Sequence, residues 1–326
     1  MLKALLFFSI LGFSLSAQAA IKVGLVLDKG GKDDKSFNAA AFRGASEAEK
    51  KLGITLKTVE SSDDTALEPS LRTFSRKGYD LVIGVGFAQL NPIKKVAAEF
   101  PKTHFLLIDS DAGSPNVRSV MFAEHEGSYL VGVIAGMKSQ TKTVGFVGGM
   151  DIPLIRRFEM GYRKGAESIG GITVVSNYVG STSDAWRNPT KGKELALAQI
   201  SKKADVIFAA AGTSGMGVFD AAEEKHVFAI GVDSNQNWVK PGTILTSMLK
   251  HGETAVYQAI EDRNANKFTA GLVSMGLSDG GVGYALDEFN KPLLTPAILK
   301  KVEEVKKQIV AKQLKVPDYY SIKPPQ

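Results

Sequence analysis

The sequence predicts an α/β protein of two similar lobes, each a doubly wound parallel sheet, joined by a multi-stranded hinge. Two observations predict it. Short β-rich apolar runs alternate with amphipathic helical stretches, the pattern of a parallel sheet covered by helices. The same order of runs then returns about 120 residues later, a period too long for a solenoid and suited to a second copy of one domain.

In the first copy Val23–Leu27 reads as a buried strand, Phe37–Leu52 as a helix and Ile54–Val59 as the next strand. Leu81–Val85 and Phe105–Ile108 are further strands, with a helix over Pro92–Phe100 between them. In the second copy Val144–Gly148 echoes Val23–Leu27, and Phe158–Gly165 with Ala166 echoes Phe37–Gly44 with Ala45 at one fixed offset. Ile172–Val175 echoes Ile54–Val59, Asp205–Phe208 echoes Asp80–Ile83, and Phe228–Ser234 echoes Phe105–Ser110. Any one match could arise by chance; their shared order argues for duplication.

Glu124–Met137 reads as a helix leading into the second copy. After Gly242 the pattern changes to a strand (Thr243–Leu249), a helix (Glu253–Ala265), a strand (Leu272–Leu277) and the run Gly280–Gly283. A last helix has Thr295 as N-cap and Pro296 in its first position, and runs to about Gln313. These closing elements are expected to divide between the lobes, 20–124 plus 250–278 forming one and 125–249 plus 279–326 the other. Repeated crossing makes a hinge, and ligands of such proteins sit between the lobes.

Composition narrows the function. The 326 residues contain no cysteine, which excludes lipid attachment at a cysteine next to a cleavage site, disulfides, thiol catalysis and thiolate metal sites. Residues 1–19 read as a signal peptide, with basic Lys3, an apolar stretch from Ala4 to Leu11 and a small-x-small end at Ala17-Gln18-Ala19. The apolar stretch is shorter than the roughly 20 residues of a membrane span. Export, cleavage after Ala19 and a free periplasmic protein with no lipid anchor are therefore expected; the competing reading is an N-terminal membrane anchor. The net charge is +6, with the basic residues spread out. Their densest run, Lys300–Lys315, begins with mixed signs at helical spacing, a solvated face rather than a nucleic-acid patch.

In open α/β sheets ligands bind beyond the carboxyl ends of the strands. The sequence puts polar and flexible residues there: Asp28–Asn38, Gly84–Phe87 and Asp109–Asp111 in the first copy, Gly148–Asp151, Gly212–Gly217 and Asp233–Asn235 in the second. Asp109 and Asp233 occupy related positions, so facing lobes would bring both carboxylates to one cleft. Paired carboxylates accept hydrogen bonds from the hydroxyls of a sugar or polyol and oppose a phosphate. The alternative is that each caps the helix that follows it.

Several look-alikes of catalytic motifs fail. Gly84-Val85-Gly86 lacks the third glycine of a dinucleotide fingerprint, as does Gly212–Gly217 in its spacing, and no phosphate-loop lysine is present. The four histidines, His104, His125, His226 and His251, have no metal-ligand spacing, and His104 and His226 read as openings of core strands. No serine sits in a nucleophile elbow. Neither a metal nor another cofactor is expected, and a paired-carboxylate hydrolase would have only Asp109 and Asp233 in its support.

The run Asp33-Asp34-Lys35-Ser36-Phe37-Asn38 resembles the signature of the basic membrane protein family, substrate-binding proteins that include the purine nucleoside receptors of ABC importers. Gly145–Gly149 with Pro153, Tyr178–Ser181 with Asp184 and Lys191–Lys193, Gly231–Asp233 and Thr246–Lys250 extend the resemblance in order along the chain. It implies a type I periplasmic binding protein fold that closes on a nucleoside, a permease in the inner membrane as partner, no nucleic acid, a monomer and no catalysis. By motif, Asp28 and Asn38 would read the base edge and Phe37 would stack on one base face, unless Phe37 packs in the core beside Phe42. Asp109, Asp233 and Lys250 would hold the ribose hydroxyls, helped by the Gly212 backbone N–H. Where relatives often carry an aromatic this chain has Thr182, so Trp186 would supply the second stacking face from a shifted position. The rival readings are the same fold binding a sugar or signalling ligand as a sensor subunit, and a nucleoside hydrolase.

Overall fold

The computed structural model describes residues 20–61 and 63–322; the signal-peptide expectation lies outside them. The first half gives β1 (Lys22–Leu27), α1 (Phe37–Leu52), β2 (Thr55–Glu60), α2 (Leu67–Arg76), β3 (Leu81–Val85), α3 (Leu90–Glu99), β4 (His104–Ile108) and β5 (Val117–Phe122). The second gives α4 (Glu124–Lys138), β6 (Thr143–Met150), α5 (Pro153–Glu167), β7 (Thr173–Gly180), α6 (Pro189–Ser201), β8 (Val206–Ala210), α7 (Gly215–Glu224), β9 (Phe228–Asp233) and β10 (Ile244–Lys250). The closing elements are α8 (Gly252–Asn264), β11 (Gly271–Met275), β12 (Val282–Tyr284) and α9 (Pro296–Val310).

The strands form two sheets of the same plan, ordered β11-β5-β4-β3-β1-β2 and β12-β10-β9-β8-β6-β7. All pairs are parallel except the β10–β12 pair. Helices cover both faces, so β3 and β8 are buried along their whole length and read as unbroken apolar runs. The duplicated pattern is thus two copies of one doubly wound sheet.

The chain passes between the sheets at three places: β5 to α4, β10 to α8, and β11 to β12. Backbone hydrogen bonds tie these crossings together. The Ala123 N–H donates to the Met275 carbonyl at 2.8 Å and the His251 N–H to the Gly281 carbonyl at 2.9 Å. α8 packs on α1, while α4 packs on α5 and α9.

The fixed-offset echo between Phe37–Gly44 and Phe158–Gly165 has a packing cause. A Cβ on Gly44 would stand 2.2 Å from the Glu253 carbonyl oxygen, and one on Gly165 2.0 Å from that of Tyr129. Both glycines let a second helix approach by its backbone, α8 on α1 and α4 on α5.

The structure departs from the sequence reading in a few places. α2, β5, α6 and α7 fall where no element is assigned from sequence. His104 opens β4, but His226 sits two residues before β9 in a left-handed turn, φ 54°. α9 starts as expected, with Thr295 Oγ1 accepting from the Ile298 N–H at 3.3 Å, but stops at Val310 rather than Gln313. There Lys312 turns left-handed, φ 59°, and the Gln313 N–H folds back to the Gln308 carbonyl at 2.8 Å.

Gly165→Ala is expected to destabilise the protein by about 1–3 kcal/mol, because the α4 backbone leaves no room for a methyl group. Chemical denaturation followed by circular dichroism measures it. The equivalent Gly44→Ala change should show an effect of the same sign.

Candidate functional site

A cavity lies between the two sheets, with about 580 Å³ of empty space, part of it open to solvent. Asp28, Phe37, Asn38, Asp109, Trp186, Gly212, Asp233 and Lys250 all line it. They come from the carboxyl ends of β1, β4, β9 and β10, the start of α1, a short 3-10 turn at Ser183–Arg187 and the turn after β8. Gly86, Phe87, Leu154, Ile155, Phe158 and Asp34 complete much of the wall.

The loop Asp28–Ser36 is organised by two carboxylates. Asp34 is buried and accepts from the backbone N–H groups of Ser36 (2.8 Å), Asn38 (2.9 Å) and Ala39 (3.0 Å), capping α1 in place of the N-cap Ser36. The Asn38 amide donates to Asp28 Oδ1 at 2.6 Å and to Asp34 Oδ2 at 3.0 Å, and its oxygen accepts from the Asp28 N–H at 3.2 Å. Both Asn38 donors are therefore engaged within the loop. Asp28 Oδ1 also accepts from the Gly30 N–H at 2.9 Å, which leaves Oδ2 on the side of Gly86, about 3.1 Å from where a Cβ there would stand. Burial raises the Asp28 carboxyl to about 6, against the lowering effect of the Gly30 and Asn38 hydrogen bonds.

The second group of charges surrounds Lys250, the last residue of β10. Its ammonium donates to Asp109 Oδ2 at 2.6 Å, stands 3.5 Å from Glu124 Oε1 and lies 4.7 Å from the Phe37 ring centre and 5.6 Å from that of Phe158. Burial works to lower its pKa, but Asp109, Glu124 and Asp233 outweigh that and hold the ammonium charged. Asp109 Oδ1 is buried and has no hydrogen-bond partner among the described residues. Such an atom lacks the compensation that buried polar groups normally have.

Asp109 and Asp233 adopt the same left-handed backbone, φ 74° and 64°, at matched places in the two sheets. Neither fills the N-cap position of a helix. Asp233 Oδ2 accepts from Ser36 Oγ, on the opposite lobe, at 2.6 Å. Burial raises the Asp233 carboxyl to about 7, with Lys250 and the Ser36 hydroxyl pulling the other way.

Further bonds run from lobe to lobe beside the cavity. Ser234 Oγ donates to the Ser36 carbonyl at 2.8 Å, Arg43 Nη2 to Ser234 Oγ at 3.0 Å, and Gln236 Nε2 to the Lys35 carbonyl at 3.1 Å. Lys29 pairs with Asp184, and the ammonium of Lys35 lies 5.4 Å from the Trp238 ring centre. Trp186 is held against Gly149, where a Cβ would stand 2.1 Å from its ring. Phe37 faces the cavity and also packs against the main core, so its two sequence readings are not exclusive.

Two wall residues, Phe158 and Asp34, and two charges behind the wall, Glu124 and Arg157, were not singled out from sequence. Phe158 had a usable signal, since it is the echo of Phe37. Asp34 lay inside the signature run. Glu124 and Arg157 carry no local signal, because only folding brings Glu124 to Lys250 and Arg157 to Glu124.

The sign of the Asp233 contribution to stability is fixed. Between its unfolded pKa of about 4 and its folded value of about 7 the native state holds a proton that the unfolded chain has lost, so stability falls as pH rises through that window. Asp233→Asn removes this contribution. Thermal melts of the ligand-free proteins should show wild type losing stability relative to the variant between pH 5 and pH 8; parallel curves would contradict the assignment.

Comparison with known proteins places this geometry in a family. The family model described as ABC transporter substrate-binding protein PnrA-like matches residues 21–319. The chain is 32% identical to the ABC transporter nucleoside-binding protein BmpA of Lactococcus lactis, covering 94% of this chain and 92% of that one. An uncharacterized lipoprotein of Pyrococcus furiosus is 35% identical, over 81% of this chain and 70% of its own length. An ABC transporter solute-binding protein from Aeropyrum pernix superposes with a TM-score of 0.85 at 31% identity, over 93% of this chain and 96% of that one, so the fold is that of the periplasmic binding proteins. The expectation of a free protein without a lipid anchor is corrected by these relatives, several of which are named lipoproteins. The cysteine count had addressed only thioether attachment, one of the ways a protein is held at a membrane surface. The chain belongs to the Bmp family of PnrA-like substrate-binding proteins of ABC transporters.

Proposed function

We propose that the cavity takes up one nucleoside, most favourably a purine nucleoside, and that the closed protein delivers it to the permease of an ABC importer. The observation that carries this reading is one wall with two chemistries. Phe37 and Trp186 offer aromatic faces, and a buried set of Asp109, Asp233 and Lys250 offers acceptors and a donor, with Asp109 Oδ1 still unpaired. Bases stack on aromatic rings with about 1–3 kcal/mol each. Ribose hydroxyls would supply the donors that the carboxylates lack. The name of the Lactococcus lactis relative, a nucleoside-binding protein, supports the same ligand class.

In this reading the Asp28 Oδ2 edge meets the base, and Asn38 acts mainly by holding Asp28 in place. The Gly212 N–H assists at the ribose. The carboxylates oppose a phosphate, so nucleotides should be poor ligands. The two lobes, 20–124 plus 250–278 and 125–249 plus 279–326, would close about the three crossings, with ligand contacts to both lobes stabilising the closed state. The protein contributes binding and presentation; no bond is made or broken.

Calorimetric titration of protein unfolded and refolded to strip carried ligand tests the proposal. Purine nucleosides should bind, and ribose, free bases and nucleotides should bind weakly or not at all. Silence of all nucleosides from folded protein would overturn it. Phe37→Ala should weaken nucleoside binding about 5- to 150-fold, the loss of one stacking face; an unchanged Kd would remove Phe37 from the base site.

A further inference from the structure

We propose that Asp318, near the end of the chain, is a positioning residue for the ligand site, acting through a buried chain of alternating charges. The chain starts at the cavity wall with Asp109 and Lys250, 2.6 Å apart. It passes from Lys250 to Glu124 at 3.5 Å and from Glu124 to Arg157 in a direct ion pair. Arg157 then meets Asp318 through two parallel bonds, Nε to Oδ1 at 2.7 Å and Nη2 to Oδ2 at 3.0 Å. The signs alternate at every step, and Asp318 is the first member that reaches solvent, with 29% of its side chain exposed against 6% for Arg157 and 1% for Glu124.

The geometry gives the chain a direction. The Arg157 guanidinium is also bonded to the Phe122 carbonyl at 2.6 Å and to His125 Nδ1 at 3.1 Å, and the Tyr320 ring covers it, its centre 4.3 Å away. Asp318 is held by its own segment, accepting from the Tyr320 N–H at 3.0 Å. A bidentate carboxylate fixes the plane of the guanidinium, and with it the direction in which Arg157 meets Glu124. Removing the Asp318 charge leaves Arg157 to Glu124 alone. Glu124 then turns toward Arg157 and relaxes its hold on Lys250, the group that faces the ligand. In a low-dielectric interior such a shift passes along the chain, because the buried side chains of Lys250, Glu124 and Arg157 are little screened by solvent.

The proposal rests on the nucleoside reading for one of its two tests. The first needs no ligand. In protein labelled with 15N at lysine Nζ, the buried Lys250 ammonium is assigned by its loss in Lys250→Arg. Asp318→Asn should move that resonance, while Ser321→Ala, in the same segment but without a bond to Arg157, should leave it in place. An unmoved resonance in Asp318→Asn overturns the proposal. Should that variant fail to fold, Asp318→Ser is read in its place by the same criterion.

The second test uses inosine and 2′,3′-dideoxyinosine. Asp318→Asn should weaken inosine about tenfold and leave the dideoxy compound nearly unchanged, while Asp318→Glu retains most of the preference. Equal losses on both ligands would mark Asp318 as merely structural and overturn the proposal. If wild type binds neither compound, the ammonium resonance alone decides.

Discussion

A lysine ammonium buried at the end of β10 keeps its charge only if carboxylates surround it, and that requirement organises the centre of this protein. The carboxylates come from different parts of the chain. Asp109 ends β4 in one sheet, and Glu124 opens α4 just past the first crossing. Lys250 itself stands at the second crossing. Compensating one charge therefore fixes where two of the three crossings lie and which strand ends face each other. Asp109 and Lys250 of this ion set also line the cavity.

The compensation is incomplete in an informative way. Asp109 gives one oxygen to Lys250 and keeps the other unpaired, while burial holds the carboxyls of Asp233 and Asp28 above their ordinary range. The folded chain thus carries an electrostatic burden at the cavity, where a ligand with hydroxyl donors would relieve it. The buried Asp34 carboxylate beside it is fully served, by three backbone N–H groups and Asn38. Residual strain concentrated in a cavity is the pattern expected of a binding protein.

Much of this was legible in the sequence because the chain is duplicated. The repeat placed Asp109 and Asp233 at related strand ends, and the structure gives them the same left-handed backbone. It also related Phe37 to Phe158, whose rings both flank Lys250. Phe37 was singled out because the signature run marked it, whereas Phe158 was given no role of its own. Local signals could not reach Glu124 or Arg157. A glutamate opening a helix and an arginine within one have ordinary local explanations, and their burial follows only from packing α4 on α5. The interlobe bonds of Ser36 were equally out of reach, since a serine just before a helix needs no partner beyond that helix, while this hydroxyl binds across the cleft.

That serine has a kinetic consequence. Ser36, Gln236, Ser234 and Lys29 join the lobes to each other directly, without a ligand between them. Before the closed lobes part, a molecule held between them would have to open, besides its own contacts, those bonds. They add the same increment to the escape barrier of every ligand, whatever its chemistry. Residence time then has a floor set by the protein, and ligand contacts raise it from there. A transporter that pries the lobes apart would lower this common part first, releasing tight and weak cargo by the same motion.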